Sequence, residues 1–235
     1  MPQVAQQAPL SPPPAWPMYR ALVGVGVVCG LLIVTVFVLT GPVIARNEAA
    51  ALQAAVFEVL PGAETSVSFV LADDGSLRLA GEGDDSQLMV HAGYDAMGEL
   101  LGIAVPAQGM GYQDVIRILY GYSPADEMIV GMRVLASKET PGLGDKIEKD
   151  PAFLANFRAL DVALAPSRES LAHPIVAVKS GAKTSPWQVD GITGATISSK
   201  AIANILRHSS DYWVPRLYPR QHELAQAGGD DVGSR

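Results

Sequence analysis

Residues 190–200 read DGITGATISSK, a tight turn that leads directly into a helix. Gly191 and Gly194 permit the turn because glycine adopts backbone conformations barred to other residues. The apolar residues that follow recur at the spacing of one helix face, which predicts a helix over residues 197–207. These residues are Ala201, Ile202, Ile205 and Leu206.

Thr196 is predicted to lie at the N-terminus of this helix with its hydroxyl exposed. The first N–H groups of a helix have no partner within it and the helix dipole is positive there, so the position favours a phosphate group. A phosphodiester on Thr196 would find hydrogen-bond donors without any Lys or Arg. The same residues also suit a plain turn in which a Thr or Ser caps the helix. The residues by themselves leave both interpretations open.

Two further stretches are able to bring the backbone close to a flat ligand. Residues 139–144 read ETPGLG, in which Pro141 fixes one φ angle and two glycines open unusual conformations. Residues 109–112 read GMGY and add an aromatic ring. This second stretch does not open a helix after a strand, as a Rossmann fingerprint does, which disfavours a dinucleotide-binding domain. Taken alone, each stretch is equally an ordinary turn.

Six short runs rich in β-branched residues are predicted as strands, separated by turn clusters. They cover residues 66–71, 88–92, 101–106, 115–120, 128–135 and 175–179. A helix is predicted over residues 150–157, with Pro151 at its first position behind an Asp150 cap. Because the strand runs follow one another without long helical crossovers, the predicted fold is an α+β domain with a mixed or antiparallel sheet.

Residues 20–44 are predicted to form a single transmembrane helix. After Arg20 the run ALVGVGVVCGLLIVTVFVLTGPVI carries no charge, and about 20 apolar residues suffice to cross the ~30 Å hydrocarbon layer. A cleaved signal peptide is the alternative, but its apolar part is shorter and follows positive charge, which the first 19 residues lack. Arg20 and Arg46 flank the run, so the charges leave its orientation open.

The rest of the chain divides into three segments. Residues 1–19 are rich in Pro, Gln and Ala and are predicted to be a disordered tail. Residues 47–60 are predicted to continue the helix from the membrane and to open a single domain over residues 47–212. Residues 213–235 are predicted to be a polar C-terminal tail.

The composition excludes several classes of function. The net charge is −7 with acidic and basic residues interspersed, whereas nucleic-acid binding rests on clustered Lys and Arg. The single cysteine, Cys29, lies in the apolar run, so disulfides, thiolate metal sites and a cysteine nucleophile are excluded from the soluble part. The four histidines show no ligand spacing, and no metal site or catalytic residue is predicted. Redox chemistry would need an organic cofactor.

Together these features resemble one family, the FMN-binding domain shared by the G subunit of the Rnf ion-translocating electron-transport complex and the C subunit of the Na+-translocating NADH:quinone reductase. Residues 193–196, TGAT, resemble that family's Ser/Thr-Gly-Ala-Thr flavinylation motif, and residues 139–144 resemble its E-T-P-G-L-G loop. One N-terminal anchor followed by one domain is the arrangement of the Rnf G subunit. The resemblance covers roughly residues 20–207, while residues 109–112 match only loosely and the tail has no counterpart.

The resemblance implies FMN esterified through its phosphate to Thr196 by a separate flavin transferase that uses FAD and magnesium. Asp190 matches the acidic position that the transferase recognises. The residues around the phosphate would be Thr193, Gly194 and Ala195, with hydroxyl donors from Ser198 or Ser199. The residues lining the isoalloxazine ring would be Glu139, Thr140, Gly142, Leu143 and Gly144, with Gly111 and Tyr112 as weaker candidates.

The resemblance also implies a function and a location. The chain would be an electron-transfer subunit, not catalytic alone, anchored in the lipid of the inner membrane with its domain on the periplasmic or outer side. Its partners would be the other subunits of a complex that moves electrons between ferredoxin and NAD and translocates ions. The alternatives are the equivalent FMN subunit of a quinone reductase and a membrane-anchored flavin-binding sensor or regulator. The continuation DKIE over residues 145–148 favours the Rnf type.

Overall fold

The computed structural model of the chain describes residues 16–72, 74–81, 84 and 88–232. The chain divides into two compact units, Met1–Ala49 and Ala50–Arg235. Helix α1, Trp16–Val59, is 44 residues long. An 18-residue window of α1 has a mean hydropathy of 2.9, so the helix is long and apolar enough to cross a membrane.

Helix α1 confirms one prediction and corrects another. The helix predicted over residues 47–60 is continuous with the apolar run, as expected. The predicted disordered tail over residues 1–19 is wrong for its last four residues, which open α1; residues 1–15 lie outside the described residues. Pro17 does not prevent this start, because the first turn of a helix needs no N–H donor.

A seven-stranded sheet lies at the centre of the second unit, and every neighbouring pair in it is antiparallel. In the spatial order β2-β1-β3-β4-β5-β6-β7, it contains β1 Thr65–Leu71, β2 Leu77–Leu79, β3 Met89–Tyr94, β4 Leu100–Met110, β5 Val115–Ser123, β6 Met128–Ala136 and β7 Leu160–Asp161. A separate parallel pair consists of β8 Val176–Val178 and β9 Gln188–Asp190.

The predicted α+β class with a mixed or antiparallel sheet is confirmed. Each of the six predicted runs contains a strand, and five of them lie in the large sheet. Strands β2, β7 and β9 were not predicted, since each has two or three residues and, unlike β8, lies in no run rich in β-branched residues.

The helices that follow β6 in the chain include two short ones, which precede β7, and two longer ones, which come after β9. Helices α2, Lys146–Lys149, and α3, Pro151–Leu154, come first, and α3 passes into the 3₁₀ helix Ala155–Arg158. The Asp150 carboxylate accepts hydrogen bonds from Ala152 N at 2.9 Å and Phe153 N at 3.3 Å, so its predicted role as helix cap is confirmed. Helix α4, Thr196–Leu217, is followed by the 3₁₀ helix Tyr218–Arg220 and by α5, Gln221–Val232.

The prediction of a polar tail from residue 213 is wrong, because α4 continues to Leu217 and α5 follows it. Four side chains in this region are buried in the main core, namely Trp213, Val214, Leu217 and Leu224. The first three extend the apolar stripe of α4 at helical spacing, and Leu224 lies on α5. Charged residues such as Asp211 and Arg216 lie on the exposed face of α4 and conceal the stripe in the sequence.

The two faces of the large sheet carry separate cores, as the alternation of side chains along a strand requires. On β4, Ile103 and Val105 lie in the main core together with side chains of α4 and α5. Ala104, between them, lies in a smaller core with Val56 in the last turn of α1 and Leu60 directly after the helix. The main core therefore fixes α4, whose first residue is Thr196, against the sheet.

A row of glycines lets the end of α1 approach the backbone of the sheet. This glycine row consists of Gly93, Gly102, Gly121 and Gly131, on β3, β4, β5 and β6. A Cβ atom on Gly131 would lie 2.6 Å from the carbonyl oxygen of Val59, and one on Gly121 would overlap the same oxygen. Any larger residue in the row would therefore separate the helix end from the sheet.

Candidate functional site

Thr196 is the first residue of α4 and its side chain is exposed. Gly194 has φ +86°, a left-handed conformation that favours glycine, and it turns the chain into the helix. Ala195 occupies the N-cap position, and its methyl group makes no capping hydrogen bond. The structure therefore does not support a role for Thr196 as the helix cap. The N–H groups of residues 196–198 precede the first helical hydrogen bond, which joins Ser199 N to Ala195 O at 2.9 Å.

The loop before Thr196 is held at its base by Asn156, which belongs to the 3₁₀ helix after α3. The Asn156 amide accepts a hydrogen bond from Asp190 N at 3.0 Å and donates one to Asp190 O at 3.2 Å. Its amide nitrogen also donates to Phe153 O at 2.9 Å. Asn156 is itself buried, so one side chain fixes where the loop leaves β9.

Asp190 lies at the end of β9 and stabilises a neighbouring turn. Its carboxylate accepts hydrogen bonds from Gly181 N at 2.9 Å and Ala182 N at 3.2 Å. Lys183 donates to Asn156 Oδ1 at 3.4 Å; burial lowers the pKa of its ammonium group, and the charge of Asp190 opposes that shift. The predicted recognition of Asp190 by a flavin transferase stays a prediction, and in the folded chain this carboxylate is already engaged.

Ser198 and Ser199 are buried, and their hydroxyls form hydrogen bonds within the protein. Ser199 Oγ donates to Thr196 O at 3.2 Å and accepts from Ile192 N at 3.4 Å. Ser198 Oγ donates to Glu139 Oε2 at 2.5 Å. These bonds give both serines a part in holding the loop and the first turn of α4. They do not support the predicted donation from these hydroxyls to a phosphate.

Residues 139–144 form a turn after β6 that is closed by Leu143 N donating to Thr140 O at 3.1 Å. Gly142 has φ +78°, with open space where a Cβ would lie, and the Leu143 side chain is 51% exposed. Gly144 is buried, and a Cβ there would lie 3.0 Å from Ser198 Oγ. The loop thus lies directly against the first turn of α4.

Glu139 joins this loop to the turn between β4 and β5. Its side chain is buried, and Oε1 accepts hydrogen bonds from Tyr112 N at 2.7 Å and Gln113 N at 3.1 Å. On the surface beside it, Lys138 forms an ion pair with Asp114 at 2.6 Å, and this hydrogen bond lowers the pKa of the Asp114 carboxyl. The pair is solvent-exposed, so it adds little stability.

The three stretches singled out in the sequence therefore meet at one place. Around them the structure exposes apolar side chains, namely Met110, Tyr112, Leu143 and Ile197. Among the predicted residues, Thr193, Gly194, Thr196, Gly142, Leu143 and Tyr112 are exposed, Gly111 and Thr140 are partly buried, and Ala195, Glu139, Gly144, Ser198 and Ser199 are buried. The arrangement fits a phosphorylated, planar ligand: free amide N–H groups for the phosphate and apolar side chains for the ring.

Sequence reasoning missed Asn156 and Ile197. Asn156 carries no local signal, because its partners on Asp190 are remote in sequence and are recognised only in the fold. Ile197 shares the helix face of Ala201 and Ile205, so its sequence position suggests burial, yet it is 57% exposed at the helix end. The sequence signal that could have identified Ile197 is the presence of an apolar residue directly after Thr196.

Comparisons with known proteins agree with this geometry. Residues 111–210 match the FMN-binding domain family. The chain is 34% identical over 160 residues to the G subunit of the ion-translocating oxidoreductase complex of Methanosarcina acetivorans, covering 68% of this chain and 69% of that protein. It is 31% identical over 102 residues to the G subunit of the proton-translocating ferredoxin:NAD(+) oxidoreductase complex of Clostridium ljungdahlii, covering 43% of this chain and 48% of that protein.

A solved structure shares the fold. It is the C subunit of the Na(+)-translocating NADH-quinone reductase of Parabacteroides distasonis, with a TM-score of 0.56 and 18% sequence identity. The match covers 73% of this chain and 94% of that one. At this identity the likeness shows the common fold alone.

Proposed function

Because the chain belongs to the G-subunit family of ion-translocating oxidoreductase complexes, we propose that it is the membrane-anchored electron-transfer subunit of such a complex and carries FMN covalently on Thr196. The observation that carries this proposal is the start of α4. There an exposed Thr follows an N-cap residue without a polar side chain, which leaves amide N–H groups for a phosphate. The anchor is α1.

The attachment is a transfer of FMN from FAD by a separate flavin transferase. Thr196 Oγ1 forms a bond to the phosphorus on the flavin side of FAD, the pyrophosphate bond breaks, AMP leaves, and the hydroxyl proton is released. The chain contributes a hydroxyl that is exposed and held at one place by the loop behind it. Asn156 and Ser199 hold that loop through their hydrogen bonds to Asp190 and Ile192.

FMN, when bound, exchanges electrons singly or in pairs, so it is able to connect carriers of the two kinds. The residues of this chain hold it in place. The amides at the start of α4 bind its phosphate, the exposed Tyr112, Leu143 and Ile197 side chains provide apolar surface for its ring, and the open position beside Gly142 leaves room for close approach. Thr140, Gly144, Thr193 and Gly194 shape the backbone around these groups.

The proposed partners are the other subunits of such a complex. The Clostridium ljungdahlii relative is named as a subunit of a ferredoxin:NAD(+) oxidoreductase complex, and we extend this role to the present chain, which spans about half of that relative. The proposed location is the inner membrane, with the domain on the periplasmic or outer side. Since the sequence relatives carry the name of the G subunit, the Rnf-type role is favoured over a quinone-reductase subunit, whose likeness rests on the fold, and over a sensor.

The test is the intact mass of the full chain after co-expression with a flavin transferase, followed by peptide mapping. We expect the wild-type chain to gain the mass of one FMN less one water on the peptide that contains Thr196. Thr196→Ala should gain nothing, whereas Thr196→Ser, which keeps the hydroxyl, should be modified. Thr184→Ala removes an exposed hydroxyl outside the site and serves as the matched control.

Two results would contradict the proposal. Modification of Thr196→Ala would show that the attachment residue is wrong. An unmodified wild-type chain, with the transferase shown to be active on another target, would remove covalent FMN from this protein.

A further inference from the structure

The Glu139 carboxylate contacts two segments that lie far from it in the sequence. Glu139 is 6% exposed and begins the loop after β6. Oε1 accepts from the amides of Tyr112 and Gln113 in the β4–β5 turn, and Oε2 accepts from Ser198 in the first turn of α4. Glu139 belongs to the loop 139–144, and its side chain thus connects this loop to the other two sequence motifs.

Two glycines fit closely around this carboxylate. A Cβ on Gly111 would overlap Glu139 Oε1, and a Cβ on Gly144 would lie 2.7 Å from Oε2 and 2.8 Å from the Cβ of Glu139. The backbones on either side therefore leave no space into which the carboxylate is able to turn. Glycine is needed at both positions because a Cβ atom would collide with Glu139. Neither glycine has a positive φ angle, so the backbone conformation does not require glycine there.

The hydrogen bonds of Glu139 are stronger than those between neutral groups, because their acceptor is a carboxylate. All three donors are neutral, being two backbone amides and one hydroxyl. Removal of the carboxylate would leave those donors without their partner, which costs more than the bonds themselves contribute. The carboxylate also fixes a negative charge within a poorly solvated region, where charges act over longer distances than in water.

We infer that Glu139 is the positioning residue of the candidate site: its buried carboxylate clamps the β4–β5 turn and the start of α4 to the loop 139–144 and holds a fixed negative charge among them. The clamp rests on the hydrogen bonds alone. The effect of its charge on a flavin rests on the proposed function. A negative charge disfavours the addition of electrons nearby, so Glu139 lowers the reduction potential of FMN held by this site.

The experiment compares Glu139→Gln and Glu139→Ala in the full chain, with Glu148→Gln as the control. Glu148 is exposed on α2, so its substitution removes the same charge outside the site. The clamp is measured by hydrogen exchange at the amides of Tyr112 and Gln113 in the chain without flavin. The charge is measured by the midpoint potential of the loaded chain.

In Glu139→Ala we expect the Tyr112 and Gln113 amides to exchange at least tenfold faster than in the wild type. Glu139→Gln should keep their protection, because its amide oxygen still accepts from both and its amide nitrogen is able to donate to Ser198. The loaded Glu139→Gln chain should have a higher midpoint potential than the wild type, and Glu148→Gln should leave it unchanged.

Unchanged exchange in Glu139→Ala would overturn the clamp, and an unchanged potential in Glu139→Gln would overturn the role of the charge. If Glu139→Ala does not fold, Ser198→Ala removes the helix partner alone. It should accelerate exchange at the Ser199 amide, the first hydrogen-bonded amide of α4, and unchanged exchange there overturns the clamp. A wild-type chain without flavin would refute the proposed function, whereas amide exchange would still decide the clamp.

Discussion

At the scale of single residues, Asn156 determines where the loop before Thr196 begins. Its amide bonds both backbone groups of Asp190 and reaches back to Phe153 O. An asparagine amide is able to do this because it carries a donor and an acceptor side by side. The geometry of the Thr196 loop therefore depends on a side chain that belongs to none of the three motifs.

Substitution of Asn156 by Ala should destabilise the domain. The backbone N–H and C=O of Asp190 would lose their partner in a partly buried place, which typically costs about 1–3 kcal/mol. The free energy of unfolding, measured with urea, should fall by that amount, and covalent loading of FMN should become slower. The matched control is Asn204→Ala on the exposed face of α4, where we expect little change. Equal stability of the two variants would show that the bonds to Asp190 do not matter.

Some features of the candidate site could be predicted from the local sequence and others could not. Thr196 could be predicted at the start of a helix, because the glycines before it and the apolar spacing after it are local signals. The contacts of Glu139 with Tyr112 and Ser198 could not be predicted, because they depend on how remote segments pack. That Glu139 lines a flavin ring stays a prediction, and the structure shows that its side chain is buried and hydrogen-bonded to the surrounding segments.

At the scale of elements, the last residues of α1 are held by the glycine row. Val59 and Leu60 pack where four strands expose only backbone. The absence of side chains at these four positions lets the end of the helix lie close to the backbone of the sheet. The row thus selects one place on the sheet for the end of this helix.

Gly121→Ala should weaken this contact. Its Cβ would overlap the carbonyl oxygen of Val59, a backbone atom that is unable to rotate away. Overpacking of this kind typically costs about 1–3 kcal/mol, and the midpoint of thermal unfolding should fall accordingly. Among the residues that the structure describes, a new Cβ at Gly81 would meet Asp84 Oδ2 alone, at 3.7 Å, an ordinary contact. Gly81→Ala should therefore unfold like the wild type, and a similar loss in both variants would argue against the packing explanation.

The elements themselves were predictable to different degrees. The longer strands and the Asp150-capped helix followed from periodicity and capping, and α4 was found but ended ten residues too early. Its second half has a polar face and contains Pro215, both of which suggest an end to the helix. Burial of Trp213 and Leu217 against the domain outweighs those local preferences.

At the scale of the whole molecule, the apolar half of α1 and the globular unit differ in the solvent they require. The large apolar side chains between Leu22 and Leu39 are exposed, among them Phe37 at 77%. Exposure of so much contiguous apolar surface is unfavourable in water and favourable in a bilayer. The second unit carries its own buried cores and needs no such environment.

Removal of residues 1–46 should release the protein into the soluble fraction. We expect the full chain to remain in the membrane pellet after a wash at alkaline pH, because an apolar helix of this length inserts stably. The shortened chain should be soluble and should still acquire FMN, since the candidate site lies entirely after residue 108. Extraction of the full chain by the wash, or a shortened chain that stays in the pellet, would contradict an anchor in α1.

The order of strands in the large sheet has a consequence for biosynthesis. From β4 to β7 each strand pairs with its predecessor in the chain, so this part of the sheet is able to assemble progressively as its segments leave the ribosome. Thr196 and its helix come after all of them, and Glu139 lacks its Ser198 partner until α4 has been made. The proposed acceptor for the flavin would therefore be completed among the last steps of folding, and a flavin transferase would meet a finished protein instead of a nascent one.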